Sequence, residues 1–127
     1  MKTNFSYALP FIIGIVLFSA CTKSDYYTAP PRDEYEWMRT HEKGSVAYVE
    51  YRTGNYIVET YNGYSVIESW GGTTPREYDQ EYAWFSNRGV QSIYNFDGNY
   101  YTKGRIIDTR LSWQDALYIL DQLNYVQ

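Results

Sequence analysis

From Ser45 to Trp70 the chain alternates β-prone runs with turn dipeptides, a pattern that leaves room for little except antiparallel hairpins. The runs are Val46-Ala47-Tyr48-Val49-Glu50-Tyr51, Tyr56-Ile57-Val58-Glu59-Thr60-Tyr61 and Tyr64-Ser65-Val66-Ile67-Glu68-Ser69-Trp70, separated by Gly54-Asn55 and Asn62-Gly63. Gly and Asn tolerate the positive φ of tight hairpin turns, so the segment predicts a three-stranded antiparallel meander.

Downstream, Thr74-Pro75-Arg76-Glu77 has a capping hydroxyl, a Pro at the first helical position and a Glu three residues after the cap. Tyr78, Tyr82 and Phe85 follow at helical spacings and Gly89 is placed to end the element, which predicts a helix. Val90 to Phe96 and Tyr100 to Thr109, joined around Asp97-Gly98, predict a second hairpin. Ser112-Trp113-Gln114-Asp115 then caps a helix whose Trp113, Ala116, Leu117, Leu120 and Leu123 form one apolar face. Asp33 to His41 has the composition of a short helix with weak apolar spacing. The expected fold is α+β: an antiparallel sheet of about five strands, meander plus hairpin, with two packed helices in the order β-β-β-α-β-β-α.

The N-terminus carries a different signal. Lys2, an apolar stretch from Ala8 to Phe18, then Ser19 and Ala20 give the three-part layout of a secretory signal peptide, too short to span a bilayer comfortably. Leu17-Phe18-Ser19-Ala20-Cys21 resembles the lipobox of bacterial lipoproteins, and Cys21 is the only cysteine of the 127 residues. The resemblance implies lipidation of Cys21, cleavage before it and anchorage to a membrane of the cell envelope through acyl chains, each buried methylene contributing about 0.8 kcal/mol. It implies residues 1–20 as signal peptide and 21–32, with the Pro30-Pro31 step, as an acylated tether. Residues 33–127 are left as one small globular domain, without a disulfide to staple it.

Such a domain depends on bulky side chains, and aromatic residues make up 20% of the chain, 16 of them Tyr. A tyrosine ring packs while its hydroxyl stays wet, which suits a small core and a binding face alike. The formal charge of -4 argues against nucleic acid as a partner.

Within the meander, Val49-Glu50-Tyr51, Val58-Glu59-Thr60 and Ile67-Glu68-Ser69 recur, trailed by Gly54, Gly63 and Gly72. Two-residue turns at both dipeptides would set Glu50 across from Glu59 and Glu59 diagonal to Glu68. The same face would carry Tyr48, Arg52, Ile57, Tyr61, Tyr64, Val66 and Trp70, and the opposite face would meet the helices. Tyr48, Glu50, Glu59, Tyr61, Tyr64, Glu68 and Trp70 therefore form a candidate ligand face. Rings that stack on apolar sugar faces beside carboxylates that accept hydroxyl hydrogen bonds suit a glycan. The reading preferred for the stripe itself is a solvated outer face, whose charges discourage edge-to-edge aggregation, with the ligand face as the functional alternative. His41 reads as solvated, and no pattern points to a catalytic residue, metal or cofactor. Gly71-Gly72-Thr73-Thr74 reads as a simple strand-to-helix connection, with an anion site at the helix N-terminus as the alternative. The expectation is a lipid-anchored envelope module that binds cell-envelope or surface glycan. A protein-interaction or inhibitor module, or a structural lipoprotein, is the alternative.

Overall fold

The computed structural model describes residues 33–125. The predicted signal peptide, Cys21 and the tether lie outside the described residues. The elements are α1 (Glu34–Thr40), β1 (Glu42–Glu50), β2 (Asn55–Thr60), β3 (Gly63–Ser69), β4 (Gln80–Ala83), β5 (Gly89–Asn95), β6 (Tyr100–Leu111) and α2 (Trp113–Tyr125). The strands close into an antiparallel barrel, β1-β2-β3-β6-β5-β4, with β4 returning to β1.

This replaces the expected open sheet of about five strands and its β-β-β-α-β-β-α order. The decisive difference lies between Thr74 and Gly89, where a strand stands in place of a helix. Pro75-Arg76 opens only one turn: the Asp79 N–H donates to the Arg76 carbonyl at 3.1 Å, and an Asp79 carboxylate oxygen accepts the Arg76 N–H at 3.0 Å. Tyr78 then adopts a left-handed backbone (φ 79). Its N–H donates to the Val46 carbonyl at 2.8 Å, and the Val46 N–H donates to the Asp79 carbonyl at 2.9 Å, so the segment pairs with β1 instead of coiling. Glu77, the expected partner of a helix cap, accepts the Val49 N–H at 3.2 Å. Beyond it Glu81, Ala83 and Phe85 are all fully buried, a period of two that belongs to a strand. With no helix after Thr74, Gly71-Gly72-Thr73-Thr74 connects strand to strand, not strand to helix as expected, and the alternative of an anion site has no helix terminus to build on.

Val46, Val49, Tyr56, Val58, Ile67, Ala83, Phe85, Ile93 and Ile106 fill the barrel. Two glycines make that filling fit. A Cβ on Gly44 would collide with Val58 and press on Phe85, and one on Gly104 would come within 2.7 Å of Ile67. A second core lies outside the barrel. Ile57 and Val66 pack under Ala116 and Leu120 of α2, with Tyr64, Ile107, Leu111 and Leu117 around them. The helix therefore covers the face that includes Tyr64, Ile57 and Val66, while Val49, Val58 and Ile67 point into the barrel, the reverse of the expected facing. The α2 start is as its residues predict: Ser112 Oγ accepts the Asp115 N–H at 3.1 Å.

The short α1 covers another side. Asp33 caps it by accepting from the Tyr35 N–H at 3.1 Å. Trp37 donates its indole N–H to the Tyr82 carbonyl at 2.9 Å and meets Tyr101 edge-on, with 5.4 Å between centroids. His41, expected to be solvated, stacks on Trp37 at 3.9 Å and lies against Trp84.

Candidate functional site: a polar cleft at one barrel end

Antiparallel order brings three connections to one end of the barrel: the β1–β2 turn (51–54), the β3–β4 connection (70–79) and the β5–β6 turn (96–99). Each displays an aromatic ring. Tyr51, Trp70, Tyr78 and Phe96 are exposed there, Tyr78 at 84%. Between the second and third connections lies a cleft of about 190 Å³, lined by Thr73, Thr74, Arg76, Asp79, Asp97, Gly98 and Tyr100.

Beneath the cleft the barrel interior turns polar. Glu81 of β4 pairs in register with Asn95 of β5, and both are fully buried. The Tyr56 hydroxyl donates to one Glu81 carboxylate oxygen at 2.8 Å, and Asn95 Nδ2 donates to the other at 3.0 Å. Burial pushes the Glu81 carboxyl up to about 7, against the hydrogen bonds from Tyr56 and Asn95, with nearby Asp79 adding to the rise. Burial first, then Glu81, also raises the Tyr56 hydroxyl well above its ordinary value. Tyr100 is pushed up to about 12 by burial and then by Glu81 and Asp79. Its hydroxyl oxygen is buried and makes no hydrogen bond.

The walls are tied to this layer. Asn95 Nδ2 also donates to Asp79 at 2.9 Å, and Asn95 Oδ1 accepts the Gly98 N–H at 2.7 Å. Asp97 accepts the Gln80 N–H at 2.6 Å. Thr102 donates its hydroxyl to the Gly71 carbonyl at 3.0 Å, pinning the start of the long connection.

The residues of the sequence-derived face are not brought together. Glu50 pairs with Asn55, across a four-residue turn, and Glu59 pairs with Ser45 and Tyr64. The turn at Tyr61-Asn62 and an irregularity between Val46 and Tyr48 complete the change of register, so the three carboxylates form no stripe. Glu50 accepts the Arg52 N–H at 2.8 Å and serves its own turn. Glu68 pairs in register with Arg105, whose Nε lies 3.3 Å from its carboxylate, and the Arg105 guanidinium sits 5.3 Å from the Trp70 ring. Tyr64 packs against Trp113 at 5.1 Å. Tyr61 is exposed at the opposite barrel end, Glu59 is exposed, and Tyr48 is at the edge of exposure. Of that face, Trp70 and Glu50 belong to the end that holds the cleft.

Sequence reasoning passed over Glu81, Asn95, Asp79 and Tyr100. Their signal was the alternation Glu81-Tyr82-Ala83-Trp84-Phe85, legible as a strand once a carboxylate is admitted to the inward positions. Among the described residues no three His, Cys, Asp or Glu side chains converge as metal ligands, and no helix is long and apolar enough to cross a membrane. Fold and site together define a small closed antiparallel β-barrel with an ionisable polar layer under a cleft, at a barrel end that exposes four aromatic rings. No family model, curated protein or solved structure matches the chain.

Proposed function

We propose that the chain is a lipid-anchored binding module of the bacterial envelope and that the cleft end of the barrel takes a glycan. The observation that carries this reading is the placement of an exposed aromatic ring on every connection at the barrel end that also holds a cleft of carboxylates, threonine hydroxyls and one Arg. Rings offer flat apolar area for sugar faces, and the cleft supplies the few directional polar groups that fix orientation. Catalysis is not part of the reading. Glu81, the one carboxyl among the described residues with a strongly raised proton affinity, does not line the cleft. The anchor rests on the lipobox resemblance around Cys21.

The test is a titration of the full chain, held in a zwitterionic detergent, with soluble peptidoglycan fragments and surface polysaccharides. Saturable binding that weakens at least about tenfold in Trp70→Ala, near 1.4 kcal/mol, is the expected result. Absence of binding to any glycan, together with a protein crosslinked through the same rings in cells, would replace the glycan reading with a protein-interaction module. In cells, Cys21→Ser is expected to move the chain from the membrane fraction to the soluble fraction.

A further inference from the structure

A single side chain joins the buried carboxyl to both walls of the cleft. Asn95 Nδ2 donates to Glu81 at 3.0 Å and to Asp79 at 2.9 Å, so two carboxylates share one amide nitrogen. Asp79 in turn holds the Arg76 N–H at 3.0 Å, in the β3–β4 wall. Asn95 Oδ1 holds the Gly98 N–H at 2.7 Å, in the β5–β6 wall. Asp97 of that wall returns to the Gln80 N–H at 2.6 Å, adjacent in sequence to Glu81. The remaining elements around Glu81 contribute the Tyr56 hydroxyl from β2, Gly44 opposite it on β1, and Tyr100 from β6. The charged groups facing this layer are thus Asp79, Asp97 and Arg76, with Tyr56 and Tyr100 as the other titratable ones.

We propose that Glu81 is a proton-operated latch that sets the geometry of the cleft through Asn95. With Glu81 neutral, Asn95 bridges it to Asp79 and both walls are held. When Glu81 ionises, two negative charges lie against one amide group, each on its own N–H, with Glu81 fully buried, and the repulsion is relieved by the partner nearer to solvent, Asp79. Its movement frees the Arg76 N–H and strains the Asn95 contact to Gly98. Burial supports the latch because it brings the Glu81 titration to about 7, where both forms are populated near neutrality. The latch stands on the Asn95 amide held between the Glu81 and Asp79 carboxylates and on the burial of Glu81; that it regulates ligand affinity rests on the proposed reading of the cleft.

The test is an NMR titration of the full chain in zwitterionic detergent, with carbon-labelled Glu and nitrogen-labelled Arg and Gly. The Glu81 carboxyl and the Arg76 and Gly98 amides are expected to titrate with one shared midpoint, and the amide inflections are expected to vanish in Glu81→Gln. Arg76 and Gly98 amides that stay constant while the Glu81 carboxyl titrates in the wild-type chain would overturn the latch, whether or not the variant folds. So would inflections that survive in a folded Glu81→Gln. A second arm uses soluble peptidoglycan fragments, expected to bind roughly tenfold more tightly below the midpoint than above it, the change given by a coupling of one pKa unit. Failure of every fragment to bind at any pH would remove the ligand reading and leave the latch to be judged by the amides.

Discussion

Glu81 makes the stability of the molecule depend on pH with a definite sign. Its folded value of about 7 lies above the ordinary carboxyl value of 4.5, so between those limits the folded state holds a proton that the unfolded chain releases. The contribution is fully present below about pH 4.5 and is lost as pH rises through about 7, by on the order of 3 kcal/mol at most. Thermal melts are expected to give a lower midpoint at pH 8 than at pH 5, by at least several degrees for a domain of this size, and Glu81→Gln is expected to flatten that difference. Tyr78 makes an opposite kind of test, because its left-handed backbone is strained while its ring is exposed at 84%. A non-glycine residue in that region costs roughly 1–2 kcal/mol, partly offset for glycine by its larger unfolded entropy. Tyr78→Gly is therefore expected to leave stability unchanged or raise it by up to about 1 kcal/mol, while Tyr78→Val, whose branched side chain crowds the same backbone, lowers it.

The two helices carry different weights. α2 buries Ala116 and Leu120 over Ile57 and Val66, whereas α1 buries no residue completely and is held through Trp37. Leu120→Ala is expected to cost about 2–5 kcal/mol in denaturant unfolding, since it opens a cavity between helix and barrel. The same contrast shows which elements the sequence made legible. α2 could be read because Ser112 caps it and its apolar residues keep one period over three turns, and β1 to β3 because glycine and asparagine punctuate them. Their register could not be read, since Gly54 ends a four-residue turn where a two-residue one was expected, and this alone moves Glu50 away from Glu59. β4 was misread because Pro75 and Glu77 imitate a helix start in a segment whose hydrogen bonds go to Val46 and Val49 of β1. A partner from elsewhere in the chain overrode a local signal that was otherwise consistent. The polar layer beneath the cleft was missed as well, because Glu81 sits at an inward position that composition assigns to solvent.

Closure is a property of the whole molecule, and it is made by its shortest strand. β4 joins β1 over Glu42 to Ser45 and β5 through only two register pairs, Glu81 with Asn95 and Tyr82 with Tyr94. β2, β3 and β6 are paired over longer runs and lie under α2. Local opening needs the fewest broken hydrogen bonds and the least newly exposed apolar surface, so it should begin at the β4–β5 seam. That seam also contains the buried carboxyl, so its opening gives an ionised Glu81 access to water. In native-state hydrogen exchange, corrected for the intrinsic effect of pH, the amides of Glu81 and Tyr82 are expected to be at least about tenfold less protected than those of Ile57 and Val66. Raising the pH from about 5 to about 8 is expected to lower protection at the seam and, through global unfolding, at the β2–β3 pair as well, because every opening that exposes Glu81 gains the same free energy, while the seam stays the less protected of the two. Uniform protection around the barrel would show that the barrel opens as one unit and that Glu81 acts on its global stability rather than on its weakest join.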